Sequence, residues 1–382
     1  MSQRLLHVIR SVNPADGGPV EMLKQSTESL VRMGHCVETV TLDDPQAPWL
    51  KNFPCPLHAL GKGGSIYGYT SKLVPWLRRN AQNFDVVFTH GLWQFSNVGT
   101  WWALRHSKTP YFVFPHGMLD PWFRDAYPAK HRKKAVYWRF LEHRVLRDAA
   151  AVIYTCEEER RLGRETFRPY AAREKIVTLG IAEPSHDPIR CRDVFLSQWP
   201  SLRGKRLLLF LARIHPKKGC DMLIEAMRKV EHPWTIVMAG PCADEGYLRE
   251  LKDRSTDLPI TFTGMLEGEM KWGAFGAADA FILPSHQENF GIAVVEALAA
   301  GVPVLLSDKV NIWREIEADG AALVEPDTVE GTANLLRRAQ SAELDTMRLA
   351  GPRCFRKRFT ADSCAGTLLD LVEPSKRDGV AL

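Results

Sequence analysis

A chain of 382 residues, 45% hydrophobic and 25% charged, has the composition of a globular protein long enough for two domains with full cores. Low-complexity tracts are absent, and no apolar run approaches the roughly 18 to 20 residues that cross a bilayer as a helix. The formal charge of +5 suits an anionic substrate or a bilayer surface, no nucleic-acid motif accompanies it, and eight cysteines without a C-x-x-C pair indicate neither zinc nor a disulfide framework.

Met1 leads straight into a strand over Leu5–Ile9 without a signal-peptide cleavage pattern, so a cytoplasmic protein is expected. Ser11 to Pro19 is a loop of turn formers. A helix from about Val20 to Met33, closed by Gly34, and a strand Cys36–Leu42 follow, which is the opening βαβ of a doubly wound domain. Gly17 and Gly18 would let backbone approach a bound group; the plainer reading is a tight turn, and the G-x-G-x-x-G fingerprint is absent. Strands at Asp85–Thr89 and Tyr111–Phe114 each run into a histidine loop, His90-Gly91 and Pro115-His116-Gly117. The carboxyl ends of parallel strands are where open α/β sheets bind ligands. His116, between turn formers, is the better site candidate, the alternative being a structural hydrogen-bonder. Pro128 to Ala150 reads as a basic amphipathic helix, with Lys130, His131, Arg132, Lys133 and Lys134 ahead of Val136, Phe140 and Leu146. Such a run is ordinarily a solvated face; contact with a phosphate-bearing acceptor or anionic lipid is the sharper alternative. Strands at Ala151–Tyr154 and Lys175–Leu179 close the first half.

Ile181 to Lys205, with Pro184, Asp187, Pro188 and Pro200, reads as an interdomain connection. The expected domains are therefore 1–182, a connection at 183–205 and a second Rossmann-like domain at 206–360. Strand Arg206–Leu211 leads to Arg213-Ile214-His215-Pro216-Lys217-Lys218-Gly219 and a helix. Arg213 and Lys218 can converge there on one anion, Arg as a fork and Lys as a mobile point charge. Gly240 and Gly264 end two further strands and suit the close approach of a flat base to backbone.

The most informative stretch is Pro284 to Val304. A strand, Ala280–Leu283, enters a polar loop that ends at Gly291, and an apolar helix then stops at Gly301. This geometry aims free N–H groups of a helix start at the edge of a sheet, where a diphosphate is stabilised. Two carboxylates frame it, Glu288 and Glu296. Beside a phosphate site they need another task, and accepting hydrogen bonds from sugar hydroxyls is the obvious one, which points to a nucleotide sugar.

Gly17-Gly18, Pro115-His116-Gly117, Arg213 with Lys218-Gly219, Phe262-Thr263-Gly264 and the E-x7-E spacing from Glu288 to Glu296 together resemble the retaining glycosyltransferases of family 4, the group 1 enzymes of the GT-B superfamily. The resemblance implies an α/β GT-B fold, two Rossmann-like doubly wound domains facing a central cleft, with a C-terminal helix at 361–382 returning to the first domain. It implies that Arg213 and Lys218 neutralise the leaving diphosphate, that Glu288 and the amides of Asn289, Phe290 and Gly291 hold the sugar, and that Glu296 meets the ribose. His116 would bond a sugar hydroxyl or position the acceptor, and Gly17 and Gly18 would meet the diphosphate or acceptor. No D-x-D pair is present, so no metal or other cofactor is expected, the cationic pair taking a metal's role. Asn289 stands where many relatives have glycine. The expected activity is transfer of a hexose from a GDP- or UDP-sugar to a saccharide or lipid-linked acceptor in exopolysaccharide or lipopolysaccharide synthesis, by a cytoplasmic enzyme with peripheral contact at the inner membrane face. Transfer to a small soluble acceptor, and a non-catalytic GT-B binding or scaffold subunit, are the alternatives.

Overall fold

Short runs, most of them rich in Val, Ile, Leu and Phe and apolar on both faces, form thirteen parallel strands among residues 2–61, 66–340 and 343–372, the part of the chain described by a computed structural model. Strands of this kind need helices on both faces to be kept from water. They fall into two units, the described residues of Met1–Ala182 with Thr360–Leu382, and Glu183–Phe359.

The first unit holds β1 (Arg4–Ile9), β2 (Cys36–Thr41), β3 (Leu57–Ala59), β4 (Val86–His90), β5 (Tyr111–Phe114), β6 (Ala151–Tyr154) and β7 (Glu174–Ile176), in the order β3-β2-β1-β4-β5-β6-β7. Alternate side chains feed two core layers. Leu6, Val8, Val87, Val113 and Val152 pack on one side, and Leu5, Val86, Phe88, Phe112 and Ile153 on the other. The second layer is closed by Ala365 and Leu368 of the helix Ala361–Asp370, which Thr360 caps through its side chain. Gly180 is obligatory at that junction, because a Cβ there would overlap the Thr360 carbonyl. Residues 373–382 of the expected C-terminal helix lie outside the described residues.

The second unit holds β8 (Arg206–Leu211), β9 (Trp234–Ala239), β10 (Ile260–Gly264), β11 (Ala280–Leu283), β12 (Val304–Ser307) and β13 (Ala322–Glu325), in the order β10-β9-β8-β11-β12-β13. In each sheet the order reverses once, between β1 and β4 and between β8 and β11. Such a reversal opens a crevice at the carboxyl ends of the two strands involved.

Two expectations need correction. The 183–205 stretch is not a plain connection: Asp187 caps a helix over Pro188–Gln198 by accepting from the Ile189 and Arg190 amides at 3.0 and 3.2 Å. That helix packs into the second unit so closely on Gly273 that a Cβ there would overlap the Cys191 carbonyl. Pro188 and Pro200 start helical turns, where a missing N–H costs nothing. The basic segment from Pro128 is also not one regular helix. A π turn over Trp138–Glu142 separates the helices Pro128–Tyr137 and His143–Asp148. The inserted residue rotates the faces, so Trp138 and Leu146 are buried while Val136 and Phe140 are 61% and 62% exposed. No helix among the described residues is long and apolar enough to cross a membrane.

Candidate functional site

In the second unit the two strands flanking the reversal, β8 and β11, deliver the two loops that carry the charged candidates. After β8, His215 opens a tight turn over Pro216–Lys218 by accepting the Lys217 amide on Nδ1 at 3.1 Å. Gly219 then takes a left-handed conformation, φ 69°, and starts the helix Cys220–Lys229. After β11 the chain runs through Pro284 to Gly291, also left-handed at φ 80°, into the helix Ile292–Ala299. Gly291 has no side chain with which to cap that helix, and because the Val294 amide already turns back to the Gly291 carbonyl at 2.9 Å, the Ile292 and Ala293 amides are the ones that face an anion at the helix start. The two loops are fastened backbone to backbone. His286 N donates to the Lys217 carbonyl at 2.9 Å, and a Cβ on Gly219 would overlap the Pro284 carbonyl oxygen.

This fastening sets Lys218 Nζ against Glu288 Oε2 in an ion pair and charge-assisted hydrogen bond. The Lys218 side chain is 8% exposed and that of Glu288 21%. Burial pushes the Glu288 carboxyl up, but Lys218, helped by Lys217 and Arg213, outweighs burial, and the group lies below its ordinary value. Arg213 is exposed, near enough for its charge to act on Glu288. The backbone of Glu288 is fixed from the far side by residues 309–311. Its N–H donates to the Lys309 carbonyl and its carbonyl accepts from Asn311 N, both at 2.9 Å.

Glu296, 6% exposed, pairs with a different lysine, accepting from Lys271 Nζ at 2.5 Å. The two carboxylates of the E-x7-E spacing are thus held apart, each by its own cation. Asn289 Oδ1 faces Asn311 Nδ2 at 3.4 Å. The Phe290 side chain turns into the core against Phe359, which leaves only its backbone for a ligand. Gly240 N donates to the Gly264 carbonyl at 2.8 Å, joining the ends of β9 and β10, and Gly240 leaves room for the Ala212 carbonyl beside Arg213.

In the first unit, β1 and β4 flank the reversal and β5 is next to β4. His116, two residues past β5, has a left-handed φ of 51°, uncommon for a residue with a Cβ. Glu159 holds that bend, accepting Gly117 N at 2.6 Å on one oxygen and Thr155 N and Oγ1 at 2.7 Å on the other. His116 lines a hollow of about 130 Å³ with Arg10, Ser11, Pro19 and Gln94. Gly17, φ 77°, ends the turn Pro14–Asp16, and Gly18 begins the helix Gly18–Arg32 whose Pro19 and Val20 line the same hollow. Lys130 and Lys133 are exposed. Lys134 is turned inward, its ammonium 4.7 Å from the Trp93 ring, and burial lowers its pKa.

The structure therefore brings Lys218 and Glu288 into contact, places Arg213, Gly240 and Gly264 at neighbouring strand ends, and groups His116 with the start of the Gly17-Gly18 helix. Lys130 and Lys133 belong to neither group. Sequence reasoning missed Lys271, Glu159 and the 309–311 loop. Their partners are 25, 42 and about 20 positions away, without a local signal.

Two doubly wound units, each a parallel sheet whose strand order reverses once, define a GT-B fold. The family model described as "Glycosyl transferase 4-like domain" matches residues 17–180, and "Glycosyl transferases group 1" matches 193–350. The chain belongs to the group 1, family 4 glycosyltransferases, and is a transferase of glycan synthesis. It is 26% identical over 368 residues to the GDP-mannose:cellobiosyl-diphosphopolyprenol alpha-mannosyltransferase of Xanthomonas campestris, covering 91% of this chain and 90% of the relative. It is 27% identical over 277 residues to a GDP-mannose-dependent alpha-(1-6)-phosphatidylinositol dimannoside mannosyltransferase of Mycobacterium tuberculosis, covering 70% and 68%. Among solved structures it is similar to Anabaena HepE in complex with UDP and glucose, with a TM-score of 0.75 at 17% identity over 96% of this chain and 98% of that one.

Proposed function

We propose that this chain is a retaining, metal-independent hexosyltransferase that takes its sugar from a nucleotide diphosphate, GDP-mannose before UDP-sugars, and delivers it to a saccharide or lipid-linked saccharide in surface polysaccharide synthesis. The observation that carries this reading is the Lys218–Glu288 pair, its lysine buried and its carboxylate half-buried, at the entry of the helix Ile292–Ala299, with the charge of Arg213 acting on it. An arriving diphosphate competes with Glu288 for Lys218 and frees the carboxylate to accept hydrogen bonds from the sugar. Arg213 and Lys218 neutralise the leaving group, the largest electrostatic task of the reaction and the one a metal performs elsewhere. Glu288, engaged by a lysine, is suited to holding the sugar rather than to forming a glycosyl-enzyme, which favours front-face departure and attack within an ion pair. Glu296 receives the ribose, the Asn289, Phe290 and Gly291 amides hold polar groups of the donor, Gly240 and Gly264 face the base, and Gly17, Gly18 and His116 serve the sugar or acceptor. The preference for GDP-mannose follows the donors named for the two relatives.

Assay of hydrolysis and transfer with a panel of UDP-, GDP- and ADP-sugars is expected to single out GDP-mannose. With the active donor, Arg213→Ala should lower kcat/KM at least about tenfold, the effect of one charge-assisted contact. An Arg213→Ala protein as active as wild type would sink the assignment and favour a non-catalytic role.

Peripheral membrane contact is also proposed, on the surface formed by Lys133, Val136 and Phe140, which repeat every three to four residues and are all exposed. A Lys133→Glu, Phe140→Ser double variant is expected to lose sedimentation with vesicles containing anionic lipid, and undiminished binding would remove this surface from the account.

A further inference from the structure

We infer that His7, His90 and His116 form a directional hydrogen-bonded chain that fixes His116 with its proton on Nδ1, so that His116 offers its ligand a hydrogen-bond donor and not a base. The inference rests on the reading above that His116 meets a substrate oxygen; the chain itself is independent of it.

The three rings come from adjacent strands: His7 lies inside β1, His90 ends β4, and His116 follows β5. His7 Nδ1 is 2.9 Å from His90 Nε2, and His90 Nδ1 is 3.0 Å from His116 Nε2. Phe88 stacks on His7 at 5.2 Å and Phe114 on His90 at 5.0 Å, so the rings are held in place by the core. His7 and His90 are 1% and 2% exposed. Burial pushes His7 down to about 3 and His116 to about 4, and His90, further disfavoured by its two histidine neighbours, lies well below its ordinary value. All three are therefore uncharged near neutrality.

A neutral imidazole has one N–H and one lone pair, and each ring-to-ring contact needs one of each. Only two arrangements satisfy both contacts: every proton on Nδ1, or every proton on Nε2. They differ at the two ends. At the inner end His7 Nε2 is buried with no hydrogen-bond partner among the described residues. If it carried the proton, a donor would be orphaned in the core; if it does not, only a lone pair is. Orphaned buried N–H groups are the rarer and costlier defect. The inner end thus selects Nδ1–H throughout, and at the outer end the proton is on His116 Nδ1, the nitrogen the chain does not use. In this state His116 has no lone pair with which to remove a proton. It can donate to a sugar hydroxyl or another acceptor oxygen of a ligand in the hollow shared with Arg10 and Ser11.

Long-range 1H–15N correlation of the 15N-histidine-labelled protein at neutral pH tests this, with His116→Gln identifying the His116 signals. Expected is a pyrrole-type Nδ1 and a pyridine-type Nε2 at His116. His7→Phe, which removes the inner donor, should turn this into a tautomer mixture and lower kcat about three- to tenfold with little change in KM, the worth of one hydrogen bond. His7→Asn, whose amide nitrogen can still donate to His90 Nε2, should restore both. A wild-type His116 protonated on Nε2, or a tautomer unmoved by His7→Phe, overturns the inference. If the tautomer is as expected but His116→Ala transfers sugar like wild type, the placing of His116 at the substrate fails, and the donor role with it.

Discussion

Lys218→Met is expected to lower kcat by about a hundredfold or more, the scale on which a preorganised charge at a developing anion is felt. On the proposed reading, in which Arg213 also meets the donor, the loss should appear in kcat more than in KM, because leaving-group charge develops toward the transition state. The measurement is steady-state transfer with the active donor, and a kcat within threefold of wild type would remove the diphosphate clamp from the mechanism. The same variant makes a stability claim whose sign can be worked out. In the native protein the Glu288 carboxyl is held below its ordinary value of 4.5, chiefly by Lys218 acting against burial. A depressed carboxyl contributes stability that is fully present above about pH 4.5 and lost as pH falls through the lowered value. Without Lys218, burial is the largest influence left and the carboxyl rises. Its stability contribution is then greatest when protonated and falls as pH climbs above 4.5. Urea unfolding should therefore find the variant less stable by about 2 kcal/mol at pH 7, less than for a fully buried broken pair because Glu288 retains some exposure, and nearer to wild type at pH 4.

Much of the second unit was legible because its punctuation is local. Glycines 219, 240, 264 and 291 stand at strand ends or helix starts, and each takes a positive φ that an L side chain resists. The reversal of strand order between β8 and β11 then brings the Arg213–Lys218 loop and the Glu288 loop together, a consequence of topology that βαβ alternation already implies. What escaped notice was either long-range or ambiguous in kind. Lys271 is one exposed-looking lysine among many until the fold sets it against Glu296. The Asp187-Pro188 pair reads equally well as a linker and as a helix start, and only packing on Gly273 decides for the helix. The π turn at Trp138–Glu142 has no sequence signature of its own. It draws Glu142 into the core, where one oxygen accepts from Trp93 N and Asn97 Nδ2 at 3.3 Å, so Val136 and Phe140, expected on the apolar face, are turned out instead. His7 is hidden in another way. Inside an apolar strand it reads as an interruption, and its link to His116 exists only across three strands.

Gly219→Ala is expected to be among the most damaging single methyl groups in the second unit. Two penalties coincide there: a left-handed φ of 69° and a Cβ that would overlap the Pro284 carbonyl oxygen. The first costs about 1 kcal/mol for any L side chain, and the second forces backbone to move, which brings the total to about 3 kcal/mol. For a unit of this size that corresponds to a melting point lower by about 6 to 12 °C. Gly264→Ala separates the two effects, since Gly264 has nearly the same φ, 73°, with nothing within 4 Å of its added Cβ. It should cost only about 1 kcal/mol, and equal losses in the two variants would show that the close approach contributes nothing. Catalysis should separate them further. The displaced carbonyl belongs to the loop that carries Glu288, and the displaced turn carries Lys218, so the hydrogen bond from His286 N to the Lys217 carbonyl and the ion pair beside it are strained by the same methyl. At a temperature where both variants are folded, Gly219→Ala should therefore lose kcat beyond any loss of folded protein. The glycine at 219 is needed less for its own flexibility than because two loops from different strands must touch there for one cation to reach one carboxylate.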